Sequence, residues 1–231
     1  VTRPDLIDGE DGYTLIELMT ALATGVIVFA GLTLVVMATM HHSTRTQNRV
    51  HATQEARLVL QKIVTEMHSA CVAAEVAPVQ PNSGANAIAY VYQTGSGAAL
   101  TPVLHEVVLS GTTLNMLTYP ATSGSTPSWT FSTTASATRT LMANVAPVST
   151  GAPVFSYYAY GSGGVVSSTP LTTPLSATDA AKTVQVNVAL KVNTRTAPNP
   201  DPNGGAIVQN QAFLRFSPPS ASTTVANLPC E

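Results

Sequence analysis

Glu17 is the residue whose position asks most of the chemistry. It stands one place before Leu18–Met40, a run of 23 residues with no charged side chain. An acidic group at the centre of a transmembrane helix costs about 2.5–3.5 kcal/mol, less near an end. A carboxylate kept at such a place is a functional candidate by default. The other reactive groups are sparse. Cys71 and Cys230 are the only cysteines. In an exported chain an even count suggests a bridge. It would close a loop of about 160 residues, for which chain entropy gives ~4–5 kcal/mol. The alternative is two thiols, with Cys71 packed on a helix. His68 lies three residues before Cys71, but no further ligands follow with zinc spacing, and no metal site is expected. His41, His42 and His51 fall on the same helical stretch and His105 in a strand; His41-His42 marks the place where the apolar run ends.

Tyr157, Tyr158 and Tyr160 could form a stacking platform for bases, yet the Gly161-Ser162-Gly163-Gly164 that follows carries no Lys or Arg. Core and loop packing is the better reading, and no direct nucleic-acid contact is expected. Motifs for catalysis are missing as well: G-x-S-x-G, H-E-x-x-H and the P-loop do not occur. Residues 78–231 hold nine charged side chains, poor material for acid–base chemistry. The sequence reads as a non-enzyme without a cofactor.

Four blocks must position these residues. Val1–Gly12 is short and acidic. From Tyr13 to about Val76 there is no proline. Pro78 to about Thr101 is rich in Pro, Gly, Asn and Ser, and the remainder reads as short strands between Ser/Thr/Gly/Pro loops. Leu18–Met40 is long enough for a hydrocarbon core of about 30 Å, which needs ~20 helical residues, and too long for a secretory h-region of ~7–15. Beyond Met40, Ala52, Ala56, Val59, Leu60, Ile63, Met67, Ala70 and Cys71 recur at steps of three and four, one apolar stripe of a helix. Arg49, Arg57, Lys62 and Glu66 punctuate the rest. The simplest reading is one helix from about Tyr13 to Val76, whose second half needs a sheet to cover its stripe.

Strand signals follow. Val103–Ser110 and Thr112–Tyr119 flank Ser110-Gly111, a hairpin pattern. Thr183–Val192 alternates, with Val184, Val186, Val188 and Leu190 on one face. Ala87–Tyr92, Phe155–Tyr160 and Ala206–Phe216 are further strands, and Thr122–Thr140 reads as a loop or weak edge strand. The layout is α+β, a long N-terminal helix packed on an antiparallel sheet. Charge limits the partners. With 10% charged residues and a net charge of −2, against about 25% charged in ordinary domains, the chain suits neither charged disorder nor electrostatic nucleic-acid binding.

Gly12-Tyr13-Thr14-Leu15-Ile16-Glu17-Leu18-Met19 resembles the processing signal of type IV prepilins and type II secretion pseudopilins: a glycine, an aromatic residue, then Thr-Leu-Ile-Glu opening an apolar helix. Two features depart from the family. Tyr13 stands where many members carry Phe, and the leader is net acidic where leaders are usually basic. The resemblance implies a pilin-like fold with a leader over 1–12, an N-terminal helix over 13–76 and a β-rich domain over 77–231. It implies cleavage by a prepilin peptidase after Gly12 and methylation of the new terminal amine on Tyr13. Glu17 would pair with the terminal amine of a neighbouring subunit. Because an ion pair in a low-dielectric bundle is strong only when both partners are present, Glu17 would then set axial register.

Residues 1–12 hold one basic and four acidic groups; without them the chain keeps nine and eight. Leu58-Val59-Leu60-Gln61-Lys62-Ile63 through Met67-His68-Ser69-Ala70, Asn144-Val145, Pro153–Tyr158 and Thr183–Leu190 are similar, more weakly, to minor pilins and the J-type minor pseudopilin. The implied partners are other pilin subunits, the prepilin peptidase and a pilus or secretion assembly platform. The chain would sit in the cytoplasmic membrane before assembly and in a cell-surface filament afterwards, serving adhesion, motility or DNA uptake. The alternatives are a pseudopilus of type II secretion and a membrane-anchored surface binding protein that never polymerises.

Overall fold

The structure, a computed structural model, describes residues 13–70, 77, 79–94, 101–125, 128–161, 163–193 and 205–214. It is α+β. Helix α1 (Leu15–His68) comes first. The chain falls into two compact units, Val1–Gln47 and Asn48–Glu231. The second unit thus begins inside α1. The cause is the stripe: Ala56, Leu60, Ile63 and Met67 are the buried residues of α1, spaced four, three and four apart, so one face of the helix is core and belongs with the strands. The helix also closes earlier than Val76. It ends at His68, and by Ala70 the backbone is already paired with Tyr92 as an isolated β-bridge.

Among the described residues nine strands and a short helix follow: β1 (Ala87–Thr94), β2 (Thr101–Ser110), β3 (Thr113–Ser125), β4 (Ser128–Phe131), β5 (Ala137–Ala143), β6 (Val145–Ala146), β7 (Phe155–Tyr158), α2 (Ala177–Lys182), β8 (Gln185–Val192) and β9 (Ala206–Phe213). All pairings are antiparallel. In the first sheet β1 pairs with β2 and β2 with β3; the far side of β3 takes β5 along its first half and β4 along its second. The β2–β3 hairpin forms as its turn dipeptide predicts. Ser110 pairs with Thr113, which leaves a two-residue loop with Gly111 at φ 59°. A type II′ hairpin turn reserves that position for glycine.

In the second sheet β8 is central. β9 pairs along its whole length on one side, and β7 and β6 share the other. The alternation read from residues 184–190 is realised: Val184, Val186, Val188 and Leu190 are all fully buried. One hydrophobic core joins the α1 stripe to Ile88, Tyr90 and Val107 of the first sheet and to Phe155, Tyr157 and Val186 of the second. Tyr157 ties the parts together, its hydroxyl donating to the backbone oxygens of Gly84 and Ala87 at 3.0 and 3.0 Å.

Thr122–Thr140 is not simply a loop. It contains the end of β3, all of β4 and the start of β5. Its Ser/Thr background hides Trp129 and Phe131, which pack with Val91 and Leu104 in a second small cluster on the other face of the first sheet. The helix α2 was not foreseen either. It is one and a half turns long, and Ser176 caps it by accepting from the Asp179 amide.

Candidate functional site

The residues singled out for chemistry divide between the two units. In the first, α1 begins on a cap. The Glu17 amide donates to the Thr14 backbone oxygen at 3.0 Å and lies 3.4 Å from Thr14 Oγ1. Thr14-x-x-Glu17 is the spacing of a capping box. Glu17 therefore occupies the first turn, where unpaired amides and the helix dipole favour an anion. Its side chain is exposed, and among the described residues it enters no ion pair. Tyr13, four residues earlier, is exposed too.

From Leu18 onward the apolar side chains face outward. Ile27, Phe29 and Leu34 are 70%, 72% and 69% exposed, and the helix is long and apolar enough to cross a membrane by length and composition. The polar groups within this stretch are threonines, and each is satisfied internally. Thr24 donates to the Thr20 oxygen, Thr33 to Phe29 and Thr39 to Val35, at 2.9, 2.8 and 2.6 Å. Such back-bonding leaves no hydroxyl proton stranded when water is excluded. The two glycines are not required by packing within the chain. A Cβ added at Gly25 or Gly31 meets nothing within 4 Å. Their effect is to thin the helix where another backbone can approach closely.

The second unit holds a polar cluster where α1 meets the first sheet. Glu66 Oε2 accepts from the Tyr90 hydroxyl at 2.9 Å and lies 3.1 Å from His105 Nδ1, while Lys62 Nζ is 3.6 Å from Oε1. His105 stacks on Tyr92 with ring centroids 5.2 Å apart and meets Tyr90 edge-on at 6.0 Å. The pairing of Tyr90 with His105 across β1 and β2 puts these two rings in register. Burial works to raise the Glu66 pKa, but the hydrogen bonds from His105 and Tyr90 and the charges of His105 and Lys62 outweigh it, so the carboxyl lies below its ordinary value. Tyr90 moves well above the phenol range, through burial first and Glu66 second. This is a structural lock: one carboxylate supplies the acceptor that a fully buried phenol needs.

Comparison with protein-family models, curated proteins and solved structures finds no match.

The geometry alone therefore sorts the sequence-derived residues. Tyr13 and Glu17 both lie, exposed, at the head of the apolar helix. Gly12, Cys71 and Cys230 lie outside the described residues, and with them the cleavage point and the disulfide. His41, His42, His51 and His68 are exposed on α1, whereas His105 is buried. Among the described residues no group of three His, Cys, Asp or Glu side chains could hold a metal ion. The three tyrosines part company: Tyr157 is buried in the core, while Tyr158 and Tyr160 are half-buried.

In the sequence Glu66 reads only as one of the charged residues that punctuate the helix. Its place three residues after Ile63 and four before Ala70, both buried, was the signal that it lies along the stripe. The partner could not be read, since His105 is 39 residues away.

Proposed function

We propose that this chain is a prepilin-like subunit, of the minor pilin kind, that assembles into a type IV pilus or a related filament through its N-terminal helix. The observation that carries the reading is the head of α1. Glu17, exposed and without an ion pair among the described residues, sits in the first turn of a helix whose next 23 residues are uncharged and turn their apolar side chains outward. A single amphipathic surface helix would bury one side. In a simple membrane anchor a first-turn carboxylate would serve only as a helix cap, which Glu17→Leu tests.

In this reading the lipid bilayer covers residues 18–40 before assembly and neighbouring subunits cover them afterwards. The internally bonded threonines suit both surroundings, and Gly25 and Gly31 admit close helix contact. Prepilin peptidase cuts after Gly12, and Glu17 pairs with the amine of Tyr13 on a neighbour. The mispaired state leaves a carboxylate buried without its cation, which is far costlier than the pair is favourable. Register is the result. The chain performs no bond chemistry and recruits no cofactor.

The test is the N-terminus of the exported protein, read by mass spectrometry with and without a prepilin peptidase, together with filament incorporation of Glu17→Leu. A mature chain starting at methylated Tyr13, and loss of incorporation in Glu17→Leu, are expected. A chain that keeps residues 1–12, or a Glu17→Leu variant that enters filaments like the parent, overturns the proposal. The first of those outcomes makes the protein an anchored surface domain.

A further inference from the structure

The outer face of the second sheet carries a feature that assembly does not use. One face of β8 is core. On the other, the strand registers set side chains in rows across β7, β8 and β9. Tyr158, Gln185 and Phe213 form one row; Ser156, Asn187 and Gln211 form the next; Ala189 and Gln209 continue it. A cavity of 530 Å³ lies over these rows, with Ser156, Tyr158, Asn187, Gln209, Asn210 and Gln211 in its wall. The volume falls within the roughly 300–1,000 Å³ of small-molecule sites.

No residue of that wall carries a charge. The amides are also held in place. Gln185 is 9% exposed, and its Nε2 donates to Asn187 Oδ1 at 2.7 Å and to Gln211 Oε1 at 3.2 Å. Asn187 and Gln211 thereby keep their own NH2 groups for other acceptors. Asn210, opposite Val188 in the register, accepts the Gln211 backbone N–H on its Oδ1 at 2.9 Å and reaches the wall from the strand edge.

We infer that this face is a binding site for a neutral saccharide. A carboxamide presents a donor and an acceptor side by side, the complement of two adjacent hydroxyls, each of which donates and accepts. The ring of Tyr158 offers a flat apolar surface with a polar rim, which fits the C–H face and hydroxyl edge of a pyranose. An ionic ligand finds no counter-charge in the wall. An apolar one strands the amides without partners, a cost that hydrogen-bonding sites use to reject it. An extended peptide seeks the edge of a sheet, where backbone groups are open, and this cavity lies over the face. The site requires nothing of filament formation, so the two proposals fail separately.

The experiment uses the full chain in lipid nanodiscs, because glycoside detergents compete for the same chemistry. Binding is screened on an array of neutral and acidic glycans, and the best neutral tetrasaccharide is titrated by calorimetry. Neutral glycans are expected to bind with little dependence on salt, since no charge is involved. Tyr158→Ala and Asn187→Leu each weaken binding about tenfold or more, which is ~1.4 kcal/mol, while Tyr158→Phe retains it. Near-UV circular dichroism establishes that each variant is folded. Should Asn187→Leu unfold, the exposed Gln209→Ala takes its place. A folded chain that retains no neutral glycan overturns the site. So does binding that survives both substitutions, or a preference for acidic glycans or for peptides.

Discussion

Leu34 and Leu60 are the same residue type in the same helix, yet one is 69% exposed and the other 1%. The helix backbone does not distinguish them. What differs is the pattern around each. Around Leu34 apolar side chains occupy every face, so no single neighbour within the chain could cover them. Around Leu60 they occupy one stripe, and the strands of the second unit cover it. A single element thus meets two different surroundings. The sequence records the change as a shift from uniform apolarity to a three–four repeat. The lesson is that burial in this chain is set by periodicity rather than by hydrophobicity.

The sharpest way to break that comparison is to truncate both leucines. Leu60→Ala is expected to destabilise the second unit by about 2–5 kcal/mol, through lost transfer energy and the cavity left behind. Leu34→Ala should leave unfolding of that unit, followed in urea by near-UV circular dichroism, within about 0.5 kcal/mol of the parent. Equal losses at the two sites would contradict the division.

Charge separates the halves in the opposite sense. Val28→Asp should cost about 2.5–3.5 kcal/mol of membrane insertion, read as the inserted fraction in a translocation assay. The same residue introduced at Gln54, on an exposed part of the packed half, should leave insertion unchanged.

The polar lock tests the packed half alone. Glu66→Ala removes the acceptor of the buried Tyr90 hydroxyl and should cost about 1–3 kcal/mol. The pH dependence follows from its depressed pKa. The stabilisation by Glu66 is fully present above its ordinary value of 4.5 and is lost as pH falls through the lower folded value. Urea unfolding at pH 7 and pH 3 should therefore show a smaller acid-side loss in Glu66→Gln than in the parent.

The smallest effect lies at the head of α1. Thr14→Ala removes a weak cap and should cost about 0.5–1 kcal/mol, seen as faster hydrogen exchange in the first turn. Since it leaves the Glu17 carboxylate in place, it should not alter filament incorporation. A Thr14→Ala variant as defective as Glu17→Leu would mean that the helix start, and not the ion pair, is what matters there.

Much of this architecture was legible in the sequence because it rests on period. The stripe from Ala56 to Met67, the alternation from Val184 to Leu190 and the Ser110-Gly111 hairpin each depend on neighbours within a few residues. Three features were not legible, for physical reasons. The Glu66–His105 contact depends on register between distant elements. The strand β4, in a Ser/Thr-rich stretch that reads as a loop or weak edge strand, is held by Trp129 and Phe131, whose packing on Val91 and Leu104 spans distant elements. The end of α1 is decided by a bridge from Ala70 to Tyr92. Of the candidate site, Glu17 was legible as a misfit of chemistry and surroundings. Its cap by Thr14 also has a sequence signal, the Thr-x-x-Glu spacing before an apolar run.

Trp129 is the only tryptophan in the chain, and it packs with Val91, Leu104 and Phe131, apart from the main core. Indole fluorescence therefore watches the back of the first sheet. Excitation selective for indole turns one residue into an optical tag for β4. Loosening of that strand would change the emission, so its motion can be timed without an added label.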